Sequence, residues 1–257
     1  MSAENVLPAI AVIPARYASS RFPGKPLALI HGKTMLQRVY EQVTKATSVH
    51  HIIIATDDQR IADHAATFNA TVVMTDPHHS SGTDRIAEAM RREEKQYKVV
   101  VNVQGDEPFI DPAQINDLVH CFTDEGIAIA TLVKRIDNTA EFNDPNVVKA
   151  VLTQSGRALY FSRSTIPYHR GGNSEKAIIE HPVYKHIGMY AYRSETLQQI
   201  TRLQPSSLEI TESLEQLRWL QNGYVIQTKE TFTETIAVDT LADLHKAEAH
   251  LLNQKHT

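Results

Sequence analysis

Cysteine is almost missing from this chain. Cys121 is the sole one in 257 residues, which excludes an intramolecular disulfide and a zinc site built from cysteines. It sits between His120 and Phe122 in a helical pattern, so buried packing is expected of it rather than nucleophilic chemistry. No apolar run approaches the roughly 18 residues that a membrane crossing needs. The opening M-S-A-E-N-V-L-P lacks a basic stretch followed by an apolar one, so no secretory signal is read there. The expected location is therefore the cytoplasm, with no membrane partner. An excess of positive charge is missing too. The net charge of -4 argues against nucleic acid as a partner, since a general binder carries a basic footprint. Three familiar motifs are also lacking: G-x-G-x-x-G after the first strand, G-x-x-x-x-G-K-[ST], and G-x-S-x-G. The enzymes built on them are set aside.

What is present is an ordinary globular composition, 42% hydrophobic and 22% charged, in a chain long enough for one large domain or two small ones. Residues 9–13, 51–56, 71–74 and 98–103 are short apolar runs bounded by turn signals, the pattern of fully buried parallel strands. Helical spacing follows at 35–44, at 61–68 with Asp58 as cap, and at 85–90 with Thr83 or Asp84 as cap. Alternating strand and helix predict an α/β fold, a parallel sheet with helices on both faces and right-handed crossovers. The second half reads differently. A strand at 127–133, a hairpin of 146–152 and 157–161 around an S-G turn, and an aromatic-rich strand at 184–192 are expected. Amphipathic helices are expected at 213–222 and 241–252, and R-G-G-N-S at 170–174 is the loosest segment. The division is soft: a nucleotide-binding part of 1–134 closed by 224–257, and a part of 135–223.

Four features sit at strand ends or in the connecting loops. The first is P-A-R-Y-A-S-S-R-F-P-G-K, whose Arg16, Arg21 and Lys25 suit a polyphosphate beyond the carboxyl end of the first strand. A solvated basic loop closing a turn is the plainer alternative. The second is S-S-G-T-D, where Gly82 lets backbone approach a ligand and Thr83 offers a hydroxyl, or where the segment merely caps a helix. The third is Q-G-D-E-P after the fourth strand, where Asp106 or Glu107 is placed to hold a divalent cation, or forms an acidic turn. The fourth is A-V-D-T, in which Asp239 opens the terminal helix as an N-cap, a metal ligand, or both. Two carboxylates from distant places in the chain could share magnesium bridging phosphates. The thirteen histidines show no ligand spacing, and the adjacent His78 and His79 are expected on a loop or surface.

With P-A-R-Y-A-S-S-R-F-P-G-K-P-L, H-S-S-G-T-D-R-I-A-E, V-N-V-Q-G-D-E-P, L-Y-F-S-R, H-I-G-M-Y and L-E-Q-L-R in this order, the chain closely resembles the 3-deoxy-D-manno-octulosonate (KDO) cytidylyltransferases nearly end to end. The resemblance implies a Rossmann-like nucleotidyltransferase sheet with a smaller sugar-binding and dimerisation part, magnesium, and a homodimer built through the second half. It implies that CTP and a 2-keto-3-deoxy sugar acid give a CMP-sugar for lipopolysaccharide, with release of pyrophosphate. By resemblance, Arg16 and Lys25 hold the triphosphate with Arg21 as a further partner. The backbone near Ala15 and the Gly82–Thr83 loop recognise cytosine. Asp106 and Asp239 are the implied metal ligands. Gln104, Arg163, His186, Tyr190, Glu215 and Gln216 are implied to line the sugar pocket, with Arg163 facing the sugar carboxylate.

Two departures from the family pattern stand near the implied sugar pocket and metal. Thr235 and Ala237 occupy glycine places in T-I-A-V-D-T, and L-E-I-T-E-S-L-E-Q carries Ile210, Thr211 and Ser213 where the family has His, Ile and Met. They suggest an altered sugar preference, for the 8-amino-8-deoxy analogue of KDO. A synthetase of the CMP-sialic-acid type and a catalytically silent nucleotide-binding regulator are the competing readings. Intact Arg16, Lys25, Asp106 and Asp239 argue against the silent one.

Overall fold

The computed structural model describes residues 7–18, 22–171 and 174–254. The chain divides into two compact units, one of Met1–Val119 with Glu234–Thr257 and one of His120–Thr233. The boundaries thus fall after 119 and 233, where the sequence reading had placed them at 134 and 223.

In the first unit β1 (Ala9–Ala15) leads into a small hairpin of β2 (Leu29–Ile30) and β3 (Lys33–Thr34), then α1 (Met35–Val43), β4 (His51–Thr56), α2 (Gln59–Ala66), β5 (Thr71–Met74), α3 (Gly82–Arg92), β6 (Val99–Asn102) and α4 (Pro112–Cys121). The order β6-β1-β4-β5 places β1 between its two parallel partners, with Ile10 opposite His51 and Val100. Residues 9–13 of β1 and all of β6 are buried, as the continuous β-branched runs predict for strands enclosed on both faces. The strand runs two residues further than expected, through Pro14 to Ala15. Proline is tolerated there because pairing with β6 has ended at Val12.

Each helix of this unit starts on a side-chain cap. Thr34 accepts from the Gln37 N–H at the head of α1, and Asp58 from the Arg60 N–H at the head of α2. The cap of α3 is Ser81, which accepts from the Asp84 N–H. The helix therefore begins two residues before Asp84 and makes Gly82 and Thr83 its first helical residues. This corrects the expectation of a Gly82–Thr83 loop capped by Thr83 or Asp84.

The second unit contains β7 (Ile129–Arg135), α5 (Thr139–Asn143), β8 (Lys149–Leu152), β9 (Ala158–Ser162), α6 (Ser174–Glu180), β10 (Tyr184–Arg193), α7 (Ser194–Ile200), α8 (Ser207–Glu212), α9 (Gln216–Gln221) and β11 (Ile226–Glu230). β10 runs antiparallel to β7 and to β8, β8 and β9 form the expected hairpin, and β11 lies parallel to β7. The helix expected at 213–222 is α9, which begins three residues later at Gln216, and α8 before it was not expected. Ser213 adopts the left-handed conformation at φ 53° and ends α8. The chain then returns to the first unit with α10 (Leu241–Gln254). Cys121 is half-buried, less enclosed than its neighbours suggested. No helix among the described residues is long and apolar enough to cross a membrane.

A buried cation organises the β8–β9 region. Lys149 is fully buried, and its ammonium donates to the carbonyls of Asp144, Val147 and Arg163 at 2.9, 2.6 and 2.7 Å. Burial lowers its pKa, and these three acceptors are what the charge has instead of water. Lys149→Met removes the donor and leaves the Val147 and Arg163 carbonyls unanswered, while Asp144 keeps the Val147 N–H. The expected outcome is a loss of about 3 kcal/mol or more, read as a lower urea midpoint with an unchanged m-value.

Candidate active site

The loops beyond the carboxyl ends of β1 and β6 enclose a cleft of about 280 Å³ in the first unit. Among its lining residues are Ala15, Arg16, Lys25, Gly82, Gln104, Asp106 and Asp239. Open α/β sheets collect ligands at this end of the strands.

Lys25 is the centre of the cleft. Its ammonium donates to Asp106 Oδ2 at 2.7 Å and to Asp239 Oδ1 at 3.1 Å. Backbone geometry puts it there. Gly24, at φ 73°, starts the tight turn of Lys25–Leu27, and its N–H donates to the Tyr17 carbonyl at 2.9 Å. A Cβ on Gly24 would stand 3.1 Å from the Tyr17 ring. The Arg60 guanidinium lies 3.3 Å above the other partner in this strut, the centroid of that same ring. Arg16 is exposed on the cleft and has no ion-pair partner among the described residues. Arg21 lies outside the described residues.

The two aspartates reach Lys25 by different routes. Asp106 follows β6 through Gly105, where a Cβ would come within 2.9 Å of the Pro14 carbonyl oxygen. Only glycine lets the acidic loop pass so close to the end of β1. Asp239 follows Val238, which is buried with Ile30, Met35 and Ala247 and whose N–H donates to the Asp106 carbonyl at 2.9 Å. The N-cap of α10 falls to the next residue. Thr240 accepts from the Asp243 N–H, and Asp243 accepts in return from the Thr240 N–H. Asp239 is thus not the cap, and its carboxylate is on Lys25.

Glu107 is separated from Asp106 by its environment. It is buried, its Oε2 has no hydrogen-bond partner among the described residues, and burial with the neighbouring Asp106 charge pushes its carboxyl up to about 8. Of the two acids left open by the sequence, Asp106 faces the cleft and Glu107 is held neutral beneath it. Thr83 is buried at 2% exposure in the first turn of α3, so Gly82 alone of that pair lines the cleft.

Sequence reasoning gave no role to His79 or Arg85, and both line the cleft. Arg85 is buried, donates to Thr75 Oγ1 and pairs with Asp57 at 3.3 Å. His79 is held by Glu88, which also accepts from the Asp76 N–H. The available signal was position: Arg85 falls one turn after the Ser81 cap, on the cleft side of α3.

The remaining candidates belong to the second unit. Arg163 donates to the carbonyls of Glu212, Pro145 and Ser213 at 2.8, 3.2 and 3.4 Å. The Glu212 carboxylate grips the same segment, accepting from Ser162 Oγ and the Arg163 N–H. His186 packs between Phe161 and Tyr190 with Nε2 2.9 Å from Thr131 Oγ1. Tyr190 meets Trp219 edge to face, and burial, with Tyr192 and Glu215 adding, raises its phenol pKa. Glu215 and Gln216 stand where α9 begins, and the buried Gln216 Nε2 has no hydrogen-bond acceptor among the described residues.

Burial holds His186 neutral, its pKa pushed down from 6.5 to about 3. Between those values the unfolded chain takes up a proton that the folded one refuses. The contribution of this group is whole above about pH 6.5 and is lost as pH falls toward about 3. Its slope is up to about 1.4 kcal/mol per pH unit. His186→Gln is expected to flatten the fall in urea-unfolding stability between about pH 6 and about pH 4.

The chain matches known proteins along nearly its whole length. A cytidylyltransferase family profile matches residues 10–236. The 3-deoxy-manno-octulosonate cytidylyltransferase of Parabacteroides distasonis is 51% identical over 249 residues, covering 95% of this chain and 98% of that protein. The enzyme of the same name from Bacteroides thetaiotaomicron is 51% identical over 248 residues, at 95% and 98%. The structure of CMP:2-keto-3-deoxy-manno-octonic acid synthetase complexed with CTP superposes with a TM-score of 0.89 at 41% identity, covering 96% of this chain and 99% of that one. A 4-diphosphocytidyl-2C-methyl-D-erythritol synthase from Anaerococcus prevotii, at 13% identity and a TM-score of 0.66, shares the fold. The chain belongs to the cytidylyltransferase family and is an enzyme of the nucleotidyltransferase class.

Proposed function

We propose that the protein joins CTP to KDO, releasing pyrophosphate and forming the CMP-sugar used in lipopolysaccharide synthesis. The observation that carries the reading is Lys25 between Asp106 and Asp239, in a cleft that also exposes Arg16. Arg16 and Lys25 grip the triphosphate, the first by a forked guanidinium and the second as a point charge. Their positive charge offsets what builds up on the α-phosphate as the anomeric hydroxyl attacks it and pyrophosphate departs. The backbone at Ala15 and Gly82 meets the base. Arg163 is the partner for the sugar carboxylate, and the unanswered amide of Gln216 is the kind of buried donor a sugar hydroxyl would satisfy.

Magnesium fits the donor set, because two carboxylates converge on one cation position and hard divalent ions take carboxylate oxygens. Asp106 and Asp239 would hold it. When bound it would neutralise phosphate charge and lower the pKa of the attacking hydroxyl. We further read the protein as a cytoplasmic homodimer assembled through its second unit.

Asp106→Asn and Asp239→Asn are each expected to cut CTP- and KDO-dependent pyrophosphate release by about 10²-fold or more, with a native circular dichroism spectrum. Full turnover in either variant would remove that residue from the chemistry. For the sugar, Ile210 is 68% exposed and the Thr211 hydroxyl donates to the Ser207 carbonyl within α8. These two of the five departures do not support a changed pocket, and the relatives that match nearly full length carry the KDO name. Competition kinetics are therefore expected to favour KDO over its 8-amino-8-deoxy analogue; a higher kcat/KM for the amino sugar reverses this assignment.

A further inference from the structure

The second unit gathers three metal-ligating side chains at a place that nucleotide chemistry does not use. His169, Glu180 and His181 each bring one ligand atom, and these atoms lie within 4.8 Å of one another. We propose that these residues form a site for a zinc-class divalent ion, which clips the loop after β9 to the end of α6.

The donor set decides the class of ion. Two imidazole nitrogens and one carboxylate oxygen, with a fourth position left to water, suit zinc and its neighbours rather than magnesium or calcium. The spacing is nearly closed already. Two atoms on a tetrahedral zinc at about 2.0–2.1 Å each stand about 3.4 Å apart, so closures of up to ~1.4 Å complete the set. Glu180 and His181 are exposed and free to make them. The existing partner of Glu180 is Lys176, 3.6 Å away in an exposed pair one helical turn back, and a weak one.

His169 is the prepared member. It is half-buried, its Nδ1 is enclosed, and that nitrogen has no hydrogen-bond partner among the described residues. An enclosed polar atom without a partner is uncommon and asks for one. The His169 and His181 rings stand 6.4 Å apart between centroids. Gly171 leaves room for the arrangement: a Cβ there would lie 2.8 Å from His169 Cε1 and 3.2 Å from Nδ1. The ring can occupy its position only because residue 171 has no side chain.

A bound ion would join residues on either side of the R-G-G-N-S segment and stabilise the folded chain by mass action. The test uses the whole chain, stripped with chelator and titrated with Co²⁺ as a visible probe. One saturable, intense d–d absorption per chain is expected, displaced by Zn²⁺ and not by millimolar Mg²⁺. His169→Asn and His181→Asn should each weaken binding by at least about 10–100-fold, the range known even for partners one step removed from an ion. Gly171→Ala should weaken it without removing a ligand. All three variants should keep their CTP- and Mg²⁺-dependent activity, which reports that they fold. Absence of a saturable band overturns the proposal. So does a band that survives in His181→Asn, which would assign the cobalt to other histidines.

Discussion

One ammonium holds the first unit's cleft together. Lys25 stands between carboxylates that lie 81 and 214 residues away in sequence, and without it two anions would face each other at the strand ends. Its partners differ in strength. The Asp106 contact is shorter, and the Asp106 side chain is 27% exposed against 41% for Asp239. Water screens the second arm more, so Asp239 is the more easily released of the two. Everything else near the cleft serves this placement: the left-handed Gly24, the Arg60–Tyr17 stack, the close pass of Gly105 over Pro14, and the Val238 anchor.

The parallel strands of the first unit were legible because each is a short apolar run stopped by polar or turn residues. Burial on both faces leaves no other pattern for β1 and β6, whereas β5 carries the same kind of run at the sheet's edge with Thr71 and Met74 exposed, not fully buried as its run suggested. A helix start was legible at Asp58, the last capping residue before the periodic run, and misread where Ser81, Thr83 and Asp84 competed. Spacing could not choose among three side chains able to accept from an amide. α8 was missed altogether: the helix start expected at Ser213 is the left-handed residue on which α8 ends.

Of the site, the cations and both aspartates were visible as residue types at strand ends, and the fold alone brings them together. What the residues could not announce was environment. Asp106 and Glu107 are adjacent acids, yet one faces the cleft while burial and the charge next door keep the other protonated. Arg85 and Lys149 show the same limit: a charged residue in a string of letters gives no sign that it will be enclosed by oxygen acceptors. The grip of Glu212 on Ser162 and Arg163 is likewise a contact across some 50 positions, with no local trace.

The hydrogen bond from Val238 to Asp106 has a temporal side. The first unit is interrupted in sequence by the whole of the second, from His120 to Thr233. A ribosome must therefore deliver the second unit before the strand-end aspartate of the first can meet its counterpart. During synthesis the sheet can form early, with Lys25 and Asp106 already paired. The cleft stays one carboxylate short until the returning segment arrives, so a nascent chain carries an unfinished Lys25 cluster.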